Sequence, residues 1–308
     1  MRDICCARRH WRTVSLAFAA LLVISGTTAS VAGPSDPWLD GVKRFEPGAF
    51  AGFGQDLLPR VVLGRPRGAG ALRGSTHVVS LGHGGSIVVV FRDNVVFDGP
   101  GDDLVVFENA FHSGSESGPI FTELGIVEVS ADGRAWHRFP FDPDTGEGLA
   151  GRTPVYASKS NDIDPLSPAA GGDRFDIGAL GLELVRFVRI LDGGDELDDV
   201  GNHVVPADKG GFDLDAMAAI HSSPPAVITG SVSHGGLPAS GARVRLVPSD
   251  GSRKLRRKTG DDGTFRFWPV LPAGAFRIVA RIPDVGRVER DVFVSLDVLS
   301  ADVDLALP

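Results

Sequence analysis

Apolar and polar positions along this chain recur mostly with a period of two, the spacing of strands whose two faces meet different surroundings. Runs at Val61–Leu63, His77–Leu81, Ser86–Phe91, Leu104–Glu108, Leu124–Ser130, Trp136–Phe139, Leu184–Leu191 and Phe212–Ile220 are rich in branched and aromatic residues, which suit a pleated surface. In the RFVRI stretch, Phe187 and Arg189 are expected to face away from Val188 and Ile190. In the last run, Phe212, Leu214, Ala216 and Ala218 are expected to share one face, opposite Asp213, Asp215 and Met217. Between Ile87–Phe91 and Leu104–Phe107, the Gly, Pro and Asp residues of Asp98–Asp103 predict a chain reversal and a hairpin. Convincing amphipathic helices are scarce. Many short strands joined by polar loops predict an all-β fold, a jelly-roll-like β-sandwich.

The same alternation resumes after Ser222-Ser223-Pro224-Pro225, read as a linker because two prolines stop strand pairing. Asp262-Gly263 predicts a hairpin turn, after which Phe265 and Phe267 alternate into a second core. Gly230, Gly236-Leu237-Pro238, Gly241-Ala242, TGDDGTFRF (259–267) and LPAGAF (271–276) together resemble a carboxypeptidase regulatory-like, or transthyretin-like, module over 226–308. Phe276 departs from it, standing where that family usually has Tyr. The resemblance implies a small seven-stranded transthyretin/Ig-like sandwich used as a structural or adhesive spacer, without catalytic residues. Upstream, VVSLGHGGSIVVVF, DGPGDDLVVFENAF, LGIVEVSADGRAW, RFVRI and GFDLDAMAAIH resemble a bacterial family known as "cell surface protein", over about 61–221. That likeness implies an exported jelly-roll or galactose-binding-like sandwich and names no activity.

The N-terminal residues fit export. Arg2, Arg8, Arg9 and Arg12 precede the apolar stretch VSLAFAALLVI (14–24), and Ser30-Val31-Ala32 offers a signal-peptidase site. The expected organisation is a signal peptide at 1–32, an acidic domain at 33–221, a linker at 222–225 and the second sandwich at 226–308. Both cysteines, Cys5 and Cys6, would leave with the signal, so no disulfide or thiolate site remains. The destination is the cell surface, the extracellular space or the periplasm. The formal charge of −8 becomes −11 once the +3 leader is gone; residues 226–308 carry +3, which leaves −14 on 33–225. So acidic a first domain argues against nucleic acid and anionic membranes as partners.

Its acidic loops are the candidate chemistry. Asp98, Asp102 and Asp103 share one turn; Asp192, Asp195, Asp198 and Asp199 follow the RFVRI strand; Asp213 and Asp215 lie on the last strand. Ca²⁺ takes six to eight oxygens from carboxylates and backbone carbonyls, which Gly-rich acidic loops supply. These Asp residues are therefore candidate calcium ligands, set against the simpler reading of turn-forming Asp bonded to its own backbone. Glu108 and Asn109, at the end of LVVF, suit a sugar hydroxyl pair or an ion, and with Phe111 and His112 they are the candidate ligand contacts for a glycan or a surface protein. Trp136 is expected in the core.

Enzyme signatures fail at particular positions. Gly114–Gly118 has Glu116 where a nucleophile elbow needs Ser, His83-Gly84-Gly85 has no elbow to serve, and HExxH is absent. A glycosidase pair would fall to Glu108 and Glu123. The leading expectation is a non-catalytic surface module that binds glycan or protein through loops ordered by calcium. The alternatives are a secreted hydrolase with its site in the Phe111–Pro119 and Asp142–Asp173 loops, and a purely structural protein.

Overall fold

The computed structural model describes residues 36–193, 211–249, 251 and 253–308. The predicted signal peptide and the candidate ligands Asp195, Asp198 and Asp199 lie outside the described residues. None of the helices described is long and apolar enough to cross a membrane.

The chain is all-β, as the periodicity implies. In the first sandwich, a five-stranded antiparallel sheet runs in the spatial order Gly41–Glu46, Ser86–Val90, Phe187–Asp192, Gly125–Ser130, His137–Arg138. Its inner face sends Ile87, Val89, Val127, Val129, Val188 and Ile190 into the main core. Phe187 and Arg189 face outward as expected, and the Arg189 guanidinium lies 4.5 Å over the Trp136 ring. Trp136 is accordingly half-buried at the sheet surface and not a core residue, since its ring covers a cation that pairs with the buried Glu128.

Facing this sheet is a middle layer. Leu104–Phe107 lies between Asp173–Phe175 and Ala216–Ala219, and Val95–Phe97 lies between Leu184–Val185 and Ser222–Ser223. The expected hairpin between Ile87–Phe91 and Leu104–Phe107 does not form. Leu104–Phe107 is buried along its whole length, and both its edges are taken by strands distant in sequence. A strand buried on both faces needs a partner on each edge, and Ser86–Val90 is already paired with Gly41–Glu46 and Phe187–Asp192. The acidic turn does form, but it joins Val95–Phe97 to Leu104–Phe107, which do not pair with each other. Asp103 braces it by accepting from the Gly99 N–H at 2.8 Å.

Three further expectations change. Val61–Leu63 is no strand: a 3-10 turn spans Arg60–Val62, and Val61 and Val62 fill the core without a ladder. The run Phe212–Ile220 splits into Asp213–Leu214 and Ala216–Ala219, which pair with different strands. The break at Asp215 shifts the alternation by one, so Phe212, Leu214, Met217 and Ala219 join the main core while Ala216 and Ala218 face the other way. Finally, Ser222 and Ser223 are not linker, because they pair with Val96 and Val95 as the last strand of the first sandwich.

The long segment between Asp142 and Asp173 is packed. Its Val155, Ala157 and Ala170 form a cluster with Val105, Phe107, Ala216 and Ala218, covering the outer side of the middle layer. Leu104–Phe107 thus runs through the interior, and whatever follows it starts from a buried position.

Past Pro224-Pro225, two four-stranded sheets face each other across a separate core. One joins Leu237–Pro238, Ala226–His234 and Thr264–Val270, with Ser300–Leu307 parallel to Ala226–His234. The other runs Leu255–Lys258, Arg243–Pro248, Gly274–Ile282, Gly286–Val294. Phe265 and Phe267 are buried in that core, edge to face at 5.8 Å. The Asp262-Gly263 turn exists, with Asp262 accepting from Thr264, but the strands on either side belong to opposite sheets. It is a corner and not a hairpin. Gly230 has a physical reason: a Cβ there would stand 2.1 Å from the Val303 carbonyl oxygen on the parallel neighbour.

Candidate metal centre

Three carboxylates from distant parts of the first sandwich meet inside it. Glu108 follows the buried strand Leu104–Phe107, Glu123 stands two residues before Gly125–Ser130, and Asp213 opens Asp213–Leu214. One oxygen from each lies within 4.8 Å of the others. Relative exposures are 3% for Glu108, 5% for Glu123 and 9% for Asp213.

Each is held there by its neighbours. The apolar run before Glu108 is fixed on both faces, so the residue after Phe107 starts inside. Asp213 is positioned by a close backbone approach: Gly211, at φ +108°, packs against Gly82, where a Cβ would come within 2.4 Å of backbone. This contact lets the Phe212 N–H reach Asp192 at 2.7 Å and its carbonyl accept from Leu81 at 2.9 Å. Asn109 closes one side. Its side chain pairs with the Ser75 backbone through both its oxygen (2.7 Å) and its amide (3.1 Å), and its amide also donates to Asp213 at 3.4 Å.

The charge balance of this cluster is unusual. Glu108 Oε2 is buried and no donor among the described residues reaches it. Burial, then the negative charges of Glu123 and Asp213, hold the Glu108 carboxyl well above its ordinary range. Asp213 is pushed up to about 6 by burial, partly offset by hydrogen bonds from Ser80 and Asn109, with the Asp192 charge adding to the rise. Nearby Asp173 is raised to about 6 by burial, although Gly151 N, Arg152 N and Thr153 Oγ1 donate to it. An unpaired buried charge is costly, so such a group must be protonated or meet a cation. All three candidate donors are carboxylate oxygens, the donor type that hard cations such as calcium prefer.

The other predicted ligands are placed differently. Asp103 has both oxygens filled, by Gly99 N and His221 Nδ1 on one and Ile177 N on the other. Asp98, Asp103 and Asp176 do lie close together, but Asp176 caps a short 3-10 turn through Gly178 N and Ala179 N. Asp102 is exposed beside Arg174. Asp192 accepts from Gly84 N and Phe212 N, and Asp215 receives Arg67 N on both oxygens. Burial still pushes Asp215 up to about 7. Asp103, Asp192 and Asp215 thus satisfy backbone donors; of the described candidates, Asp213 alone belongs to the Glu108 cluster.

Glu108 was expected to serve a sugar hydroxyl pair or an ion; its side chain is interior and belongs with the cluster. Phe111 and His112 remain at the surface in a small hairpin, paired with Phe121 and Ile120. The Phe111 and Phe121 rings stack at 5.1 Å, and His112 lies 3.5 Å from the Tyr156 hydroxyl. Glu123 entered the sequence reading only as a possible catalytic partner. Of the three, Glu108 alone abuts a continuous apolar run, LVVF.

A family model described as a protein of unknown function (DUF1416) matches residues 205–304, less than half of the chain. No curated protein matches it. Among solved structures, it is similar to the major pilin subunit BcpA of Bacillus cereus at 11% identity, with a TM-score of 0.25 over 72% of this chain and 63% of that one. The Bacillus anthracis TIE protein gives 10% identity and a TM-score of 0.23, over 72% and 41% of the two chains. Domains D2 and D3 of the major pilin SpaD from Corynebacterium diphtheriae give 11% and 0.20, over 72% and 93%. At these scores nothing is transferred from them to this chain.

Proposed function

We propose that this is an exported, non-catalytic β-sandwich module in which a calcium ion, held by Glu108, Glu123 and Asp213, orders a surface that recognises glycan or protein. The observation that carries the reading is the unpartnered, buried Glu108 Oε2 beside two further carboxylates. A divalent cation there would lower all three carboxyl pKa values and remove their mutual repulsion. Glu108-Asn109 leads directly into the Phe111–His112 hairpin, and Asn109 ties that base to Ser75. Cation binding would therefore tighten the foot of the surface that offers Phe111, His112 and the partly exposed Tyr156.

The hydrolase alternative is disfavoured by the same burial. Glu108 and Glu123 are close enough for a retaining glycosidase pair, where about 5 Å is usual, but both are interior and no sugar ring reaches between them. Thermal melting of the chain with calcium, with magnesium and with EDTA tests the reading. A calcium-specific rise in midpoint supports it, because binding to the folded state alone adds stability. An identical midpoint in all three buffers overturns it.

A further inference from the structure

The outer face of the second sandwich carries a different, independent feature. In the sheet Leu255–Lys258, Arg243–Pro248, Gly274–Ile282, residues directly opposite each other point to the same side. Val244, Leu246, Ile278 and Ala280 take the inner face, which leaves the alternate positions outside. The register then places Lys258, Arg243 and Arg281 in one row across three strands, and Arg256 beside Arg245 in the next. All five are exposed. Among the described residues none of them has a carboxylate partner: the acids of the neighbouring strand, Glu289 and Asp291, are engaged by Arg277 and Arg287.

Like charges directly opposite on a sheet destabilise it, so a fold with acidic residues at hand pays for this arrangement unless something binds it. Strands lie about 4.8 Å apart, so the row offers cations at that interval. An acidic glycan with one carboxylate per sugar presents anions at comparable intervals, and guanidinium groups bind carboxylates in bidentate fashion. Neither row holds an aromatic ring on which a base could stack, which separates this face from single-stranded nucleic-acid platforms.

We infer that the Arg243/Arg281/Lys258 sheet face is a binding surface for an extended acidic glycan. The test is fluorescence anisotropy with labelled oligogalacturonate and labelled poly(dT), in EDTA at several salt concentrations, which keeps calcium and its site out of the readout. Oligogalacturonate binding that weakens with salt is expected, with a log–log slope of roughly −2 for three neutralised anions by analogy with single-stranded polyanions. The double variant Arg243→Gln/Arg281→Gln should bind at least tenfold more weakly. The variant Arg266→Gln/Arg290→Gln removes the same charge from positions off the rows and should stay within twofold. Equal losses in the two variants, tighter binding to poly(dT), or no oligogalacturonate binding at 50 mM salt each overturn the inference. So does wild-type self-association, seen in sedimentation and lost in Arg243→Gln/Arg281→Gln, without glycan binding. Unchanged circular dichroism in both variants shows that the fold is intact.

Discussion

The two sandwiches handle charge in opposite ways. The first sinks carboxylates into its interior, where burial and mutual repulsion raise their pKa values. The second keeps its core apolar and sets its arginines in rows on one outer face. An interior charge cluster couples to folding, because every unpaired ion there subtracts stability. An exterior one hardly does, since water screens it and only a partner gives it consequence. The first domain is thus expected to be a conditional fold, and the second an unconditional one.

Core truncations should separate the two most strongly. Phe107→Ala and Phe267→Ala each empty a fully buried position, with an expected loss of about 3–5 kcal/mol in chemical denaturation. Phe107 leads directly into Glu108, so its loss should also abolish the calcium response, while Phe267→Ala should leave that response intact. Equal calcium responses in both would erase the distinction.

Next in size is calcium itself. At a hundredfold excess over Kd it should add about 2.7 kcal/mol to the first domain. The Glu108→Gln variant should be at least as stable as wild type in EDTA, since it removes a buried repelling charge, and should gain nothing from calcium.

The pH dependence follows from the raised carboxyl groups. Asp213 and Asp173 titrate near 6 in the folded chain and Asp215 near 7, against about 4 when unfolded. Between those values the folded state holds more protons, so in EDTA stability should fall as pH rises from about 4 to about 7. Calcium stabilisation should run the other way, greatest above pH 7 and fading below about 6 as protons compete for the same oxygens. Melts across this range, with and without calcium, check both signs.

The smallest effect belongs to the basic face. Arg243→Gln relieves like-charge neighbours on both sides and should raise the melting temperature by roughly 1–4 °C. A fall would mean that the row is internally compensated.

These regions also differed in how far the sequence could be read. In the second sandwich, the Asp262-Gly263 turn and the inward Phe265 and Phe267 are local features, and all were legible. Even there, the turn joins opposite sheets, because turn chemistry fixes a reversal and not the partner of the next strand. In the first sandwich, Leu104–Phe107 takes both its partners from more than sixty residues away, so its apolar run was visible but its neighbours were not. Asp215 interrupts an alternating run, and nothing in a period-two pattern announces such a slip. The candidate site met the same limit. Glu108 stood out after an apolar run and Asp213 in an acidic strand, but positions 108, 123 and 213 become neighbours only through the sheet order. Asp103, Asp192 and Asp215 accept backbone N–H groups, the simpler of the two readings for those three residues.

Calorimetric titration of calcium into the chain at pH 7.5, beside the Glu108→Gln variant, tests the interior cluster most directly. The expected result is one calcium per chain for wild type and no binding heat for the variant. Equal binding by the two proteins, or none by either, would contradict a cation held at Glu108, Glu123 and Asp213.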